Sequence, residues 1–256
     1  MLVWSRSGRF IVWLLAALLI GIIFIAPLAV ILAASLAQQW NGVFPTGFTL
    51  QHYASAAGGA SGDSVVASLI TGLVASLLAL LCGSWAALAL RAQGEAGSRT
   101  LGLLFFIPSA VPSVSVGLGL LVAFSQRPLL LNGTIAIVIL AHFVLISAFS
   151  LVDQSQIEVA GLLGAKPWRI VRSIILPAAL PAAIAGGSLC LLLTVNEFGI
   201  VLFIGAKGVI TLPLLIYDKA IQESDYQAAC AIAMVNIALS LGLFSLYRFA
   251  ARRLGG

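Results

Sequence analysis

Residues 10–36 read FIVWLLAALLIGIIFIAPLAVILAASL, without one charged side chain. The hydrocarbon core of a bilayer takes about 20 predominantly apolar residues per helix, so this stretch is long enough to cross it with some tilt. Arg6 and Arg9 stand ahead of it, as basic residues do ahead of a secretory signal. The run is too long for a signal core, however, and no convincing small-residue cleavage site comes before the next polar segment, so it reads as a first membrane span.

The rest of the chain repeats that texture. Apolar runs at Ser64 to Leu90, Leu101 to Phe124, Thr134 to Val152, Leu176 to Ile204 and Ala228 to Tyr247 predict five more spans. The chain is 61% hydrophobic and 8% charged, whereas soluble domains carry about a quarter charged residues; no water-soluble core could absorb that excess. The expected fold is all-α, a polytopic membrane protein of about six transmembrane helices forming a single domain over residues 1–256. Between the first two spans, Gln38 to Asp63 is rich in Gly, Ser, Asn and Thr and reads as an external loop with little structure of its own.

Basic residues fix the orientation, because loops rich in Lys and Arg stay in the cytoplasm. With both termini inside, Arg6, Arg9, Arg91, Arg99, Lys166, Arg169, Arg172, Arg248, Arg252 and Arg253 are cytoplasmic, and Arg127, Lys207 and Lys219 are external. The net charge of +5 comes from the same loops, facing anionic lipid head groups. No basic-aromatic motif points to nucleic acid.

Small residues recur at four-residue spacing inside the spans: Ser109, Ser113 and Gly117 in the third, and Ala178, Ala182, Gly186, Cys190 and Thr194 in the fifth. Such stripes let helices approach closely in lipid. Pro108 and Pro112 predict a kink in the third helix. Cys82, Cys190 and Cys230 lie singly in apolar runs, without the spacing of a metal or redox pair, and read as small buried hydrophobes. His52 in the external loop and His142 in span four have no evident catalytic partner; His142 reads as a hydrogen-bond donor in helix packing. No catalytic residue, metal site or cofactor is expected.

The cytoplasmic connection between spans four and five reads EVAGLLGAKPWR over residues 158–169, continuing to Ile174-Ile175-Leu176-Pro177. A short helix is predicted over Gln156 to Leu163, with Gly164 able to end it in the left-handed conformation and Pro167 suited to the first turn of a second helix. These residues resemble the EAA loop of permeases in binding-protein-dependent ABC importers. Glu158, Ala160, Gly164, Ile174, Leu176 and Pro177 match that pattern, and Val159 stands where the pattern has its first Ala. The resemblance implies that the first short helix is a coupling helix docking on an ATP-hydrolysing subunit, with Glu158, Ala160 and Gly164 marking it and Leu162 and Leu163 as apolar contacts. It also implies the other partners of such importers: a second permease copy or a homologous permease, a periplasmic or extracellular substrate-binding protein, and the lipid of a bacterial inner membrane. The chain has no Gly-x-x-x-x-Gly-Lys-Ser/Thr phosphate loop, so ATP hydrolysis is expected on another polypeptide and the chain is not expected to be an enzyme.

Glu197, beside Asn196 near the outer end of span five, is the acidic residue placed well within a span, and an ionisable group at that depth is a candidate for a pathway or gate. A structural pairing is the alternative role. The segments at residues 38–42, 108–119 and 141–149 are similar to permeases assigned to 2-aminoethylphosphonate uptake. Asn196-Glu197-Phe198-Gly199 and Thr211-Leu212-Pro213 are also similar to sulfate, molybdate and thiamine permeases, which form the alternative. A secondary transporter is less favoured, since it would show ionisable residues at the midplane or an internal repeat.

Overall fold

The computed structural model describes residues 5–40, 42, 44–91, 107, 110–125, 131–146, 176–205 and 208–254, which are mostly helical. They fall into two compact units, Met1–Gly59 with Ile216–Val235 and Ala60–Leu215 with Asn236–Gly256.

In the first unit, α1 (Arg6–Ile20) begins at Ser5, whose hydroxyl accepts the Gly8 N–H at 3.0 Å and so satisfies one of the amide donors that every helix start leaves without a partner. Pro27, at the start of α2 (Ala26–Ser35), has no N–H to give back to the preceding turn. The chain absorbs that defect in a π-helical turn, Gly21–Ile25, where the Ala26 N–H reaches the Gly21 carbonyl. Helix therefore continues from Ser7 to Ser35 over 29 residues. Its large side chains, Trp13 and Phe24 among them, are exposed. A helix of this length and composition can expose apolar side chains in a bilayer, where acyl chains are as apolar as they are.

The segment after this span is more ordered than its composition predicts. Strands β1 (Ala37–Gln39) and β2 (Thr46–Phe48) pair antiparallel, Ala37 opposite Phe48 and Gln39 opposite Thr46. Gly47 takes a positive φ of 69° and leaves room for Gln38, whose Cβ would lie 2.9 Å from a β-carbon there. A short helix, α3 (Gln51–Ala56), follows. It is tied back by His52 Nε2 to the Ala37 carbonyl at 3.2 Å and by the Tyr53 hydroxyl to Ser35 Oγ at 2.6 Å. The expectation of little local structure fails because these tertiary ties, invisible in a Gly/Ser-rich composition, hold the chain.

The second unit holds α4 (Gly59–Arg91), α5 (Ser113–Phe124), α6 (Ile135–Ile146), α7 (Leu176–Val195) and α8 (Gly199–Ile204). Helices α9 (Leu212–Tyr217) and α10 (Tyr226–Leu254) belong in part to each unit. A small-residue face of α4 meets α7: a β-carbon on Gly72 would stand 2.9 Å from both Leu191 Cδ1 and Val195 Cγ2, and Ala79 and Cys190, both fully buried, share a cluster with Phe143. The hydroxyls along this contact bond backward within their own helices. Thr71 donates to Ala67 O at 2.7 Å, Ser76 to Gly72 O at 2.5 Å, Ser188 to Ile184 O at 2.7 Å and Thr194 to Cys190 O at 2.9 Å. Polar side chains are thus satisfied without water.

Three helical stretches among the described residues are long and apolar enough to cross a bilayer: Ser7–Ser35, Ser61–Ala86 and Tyr226–Phe249. Helices α5 and α6, of 12 residues each, rise about 18 Å at 1.5 Å per residue, short of the ~30 Å hydrocarbon core. Described helix lies within each of the six predicted spans, while parts of the third and fourth fall outside the described residues. Pro112 stands at the N-cap of α5 with φ −55° and ψ 132°, so it starts a helix instead of kinking one; Pro108 is outside the described residues. The fifth predicted span, Leu176 to Ile204, is not one helix. It ends at Val195 and resumes at Gly199.

Candidate functional site

The interruption at Asn196-Glu197-Phe198 gathers the polar side chains of the second unit. A helix that stops inside an apolar environment leaves carbonyls and amides that must find partners there. Asn196 supplies them at the end of α7: its Nδ2 donates to Leu192 O at 2.8 Å and to Ser240 Oγ at 3.0 Å, and its Oδ1 accepts from Asn236 Nδ2 at 3.1 Å. The end of α7 is thereby bonded to α10. Asn236 is buried, and its own Oδ1 has no hydrogen-bond partner among the described residues.

Glu197 supplies them at the start of α8. Both carboxylate oxygens accept the Ile200 N–H at 3.1 Å, and the Glu197 amide bonds to Thr194 O at 3.1 Å. His142 of α6 faces this carboxylate. Its Nδ1 lies 2.7 Å from Val138 O, and since a carbonyl only accepts, Nδ1 carries a hydrogen and the ring is held with Nε2 outward. Nε2 stands 3.5 Å from Glu197 Oε2, with the two side chains 1% and 9% exposed. That separation is beyond the usual N–H···O range of about 2.7–3.2 Å, and with the ring hydrogen on Nδ1 a bond from Nε2 to the carboxylate would require a further proton on one of the two groups.

Glycines position α8. A β-carbon on Gly117 would lie 2.8 Å from Gly199 O and 3.0 Å from Ile200 Cα, and one on Gly199 would lie 2.7 Å from Val114 N and also strike Ser113 Oγ. Only two bare backbones allow α5 and α8 to come this close. Beyond α8, the Gly133 N–H bonds to Ile204 O at 2.7 Å, and the Leu212 N–H donates to Ser68 Oγ of α4 at 2.8 Å. The chain from Gly199 to Leu215 is accordingly rich in buried residues.

Of the residues singled out by sequence, Asn196 and Glu197 are both at this break, and His142, expected as a packing donor, does donate to its own helix. The Ser113 and Gly117 stripe packs on α8, and Cys190 and Thr194 are buried in α7. Nothing lies within 4 Å of a β-carbon built on Gly186. Glu158, Ala160, Leu162, Leu163 and Gly164 lie outside the described residues. Sequence reasoning missed Asn236, Ser240 and Ser68; an Asn in the apolar run of the sixth span was the available signal. The three cysteines are free, and of the three expected to be buried only Cys190 is, Cys230 being partly buried and Cys82 exposed. No cluster of three or more His, Cys, Asp or Glu side chains suited to a metal ion occurs among the described residues.

Comparison with known proteins gives a consistent result. Residues 79–256 match the family described as the binding-protein-dependent transport system inner membrane component. The chain is 46% identical to a protein of Salmonella paratyphi A named as a 2-aminoethylphosphonate transport system permease protein, PhnV, over 100% of this chain and 99% of that one. It is also 67% identical over 111 residues to the Salmonella typhimurium protein named as the PhnU permease of a 2-aminoethylphosphonate transport system, which is 43% of this chain and 39% of that one. A chain in the crystal structure of a bacterial alginate ABC transporter, in complex with an alginate pentasaccharide-bound periplasmic protein, superimposes with a TM-score of 0.72 at 17% identity, over 97% of this chain and 96% of that one. This last likeness concerns the fold.

Proposed function

Because the chain belongs to the binding-protein-dependent transport system inner membrane components, and is thus a permease of an ABC importer, we propose that it forms the path by which 2-aminoethylphosphonate crosses a bacterial inner membrane. The observation that carries this substrate is the 46% identity, end to end, with a permease named for that compound. The likeness to a second permease named for 2-aminoethylphosphonate transport supports the same substrate and suits a chain that pairs with another permease, either a copy of itself or a homologue. ATPase subunits bind the cytoplasmic loop through Glu158, Ala160, Leu162, Leu163 and Gly164. A soluble binding protein delivers the substrate on the other side, and both termini are cytoplasmic.

In this reading Asn196 and Glu197 belong to the pathway or its gate. Support comes from their partners: the break joins α6, α7, α8 and α10 through one short polar stretch, so a shift of any of those helices alters the surroundings of a carboxylate at membrane depth. Uptake of radiolabelled 2-aminoethylphosphonate by cells carrying the permease with its partner genes tests the proposal. Energy-dependent accumulation that disappears on deletion of the permease is expected. Transport of sulfate, molybdate or thiamine in its place would transfer the assignment to the alternative.

A further inference from the structure

The hairpin after the first span carries exposed aromatic side chains where a soluble loop would carry charges. Phe44 is 79% and Phe48 73% exposed, and the chain has no Asp, Glu, Lys or Arg from Phe10 through Gly62. The hairpin also has a fixed level. β1 starts two residues after the last helical residue of the span, Ser35. The Thr49 N–H bonds to Leu36 O at 2.9 Å, and Tyr53 and His52 tie α3 to Ser35 and Ala37. The aromatic side chains therefore cannot drift far from the depth at which the span leaves the hydrocarbon. Trp40 completes the set: its indole N–H donates to Gly42 O at 3.0 Å within the same turn, so the ring can enter a less polar layer without losing a water partner.

We infer that this hairpin is seated in the interfacial layer of the bilayer, with Phe44 and Phe48 inserted among the lipid glycerol and upper acyl groups and Trp40 at head-group level. Lipid is the occupant because the surface is continuous with a long apolar helix whose large side chains are exposed along its length, and because its uncharged, aromatic composition is that of the belts membrane proteins place at this depth. The hairpin then acts as a stop that sets how far the first span sits across the membrane. This inference does not depend on the substrate, nor on which side of the membrane the hairpin lies.

The test is nitroxide depth measurement on the full chain in vesicles of phosphatidylethanolamine and phosphatidylglycerol. Cys82 and Cys230 are replaced by Ala and the fully buried Cys190 is left in place. Labels are attached at Phe44→Cys and Phe48→Cys, with Leu18→Cys as the acyl-chain reference and Glu223→Cys as the aqueous one. Collision with a water-soluble nickel chelate should be several-fold weaker at 44 and 48 than at 223, and collision with oxygen stronger. Labels as open to the chelate as that at 223 would overturn the inference, and so would labels shielded from both reagents, which would give the surface to a protein. A second measurement keeps the native cysteines: Phe44→Trp should add fluorescence that lipids brominated high on the acyl chain quench, and unquenched added emission would again overturn it.

Discussion

Glu197 and His142 show what a single ionisable residue demands at membrane depth. The carboxylate serves as the acceptor for the Ile200 amide, and the buried imidazole stands 3.5 Å away. Glu197→Ala removes that acceptor and should cost about 1–3 kcal/mol, the usual penalty of an orphaned buried donor, whereas Glu197→Gln keeps an oxygen for Ile200 and should cost less. Thermal unfolding of the purified variants in detergent measures this; equal melting temperatures for the two would mean that the capping bond is not what the residue contributes. Gly117 gives a second test at this scale. Gly117→Val drives side-chain atoms into the backbone of Gly199 and Ile200 and should destabilise by about 1–3 kcal/mol through overpacking. Gly119→Val, two residues on in the same helix, meets open space and should leave the melting temperature nearly unchanged. From sequence, Glu197 was conspicuous as a charge in an apolar run, but its partner was not, since His142 is far away along the chain and nothing in either segment says that the helices adjoin.

At the level of elements, apolar periodicity made the long helices plain and made their interruptions hard to see. Residues 176–204 look uniformly apolar apart from Asn196 and Glu197, and those two are where the helix stops, because their side chains satisfy the backbone groups that a stop exposes. The hairpin of residues 37–48 was illegible for the opposite reason: short strands in a Gly- and Ser-rich segment depend on register and on ties to Ser35 that no local pattern encodes. The proposed coupling loop, residues 156–167, has its role from sequence alone. If Gly164 ends the first short helix with positive φ, a β-carbon there costs of order 1 kcal/mol and a branched side chain more, enough to redirect the proposed helix. Gly164→Val and Glu158→Ala should leave membrane insertion intact while lowering transport and weakening substrate-stimulated ATP hydrolysis. Reconstituted vesicles containing the ATPase subunits provide the assay, and wild-type stimulation in both variants would remove the loop from the transmission path.

For the molecule as a whole, composition was enough to predict a polytopic helical protein, because only helices or closed barrels satisfy the backbone in lipid. The permease family followed from one loop motif, and neither composition nor hydropathy would have distinguished it from other polytopic proteins. Orientation is still a matter of charge asymmetry. Single-cysteine variants Lys166→Cys and Asn41→Cys, exposed to an impermeant thiol reagent in intact cells with the native cysteines replaced, should label at 41 and not at 166; the reverse pattern would invert the topology. The contact between α4 and α7 has one more consequence. Thr71, Ser76, Ser188 and Thr194 each direct their only hydroxyl hydrogen to a carbonyl in their own helix, so none of them stitches the two helices together. On its other side, α7 is tethered to α10 by the directional bonds of Asn196. Were the two helices to slide by a fraction of a turn, none of these four hydroxyls would lose its partner, because each keeps it within its own helix. Resistance to sliding along that seam therefore comes from shape, above all from Leu191 and Val195 seated against the bare backbone of Gly72.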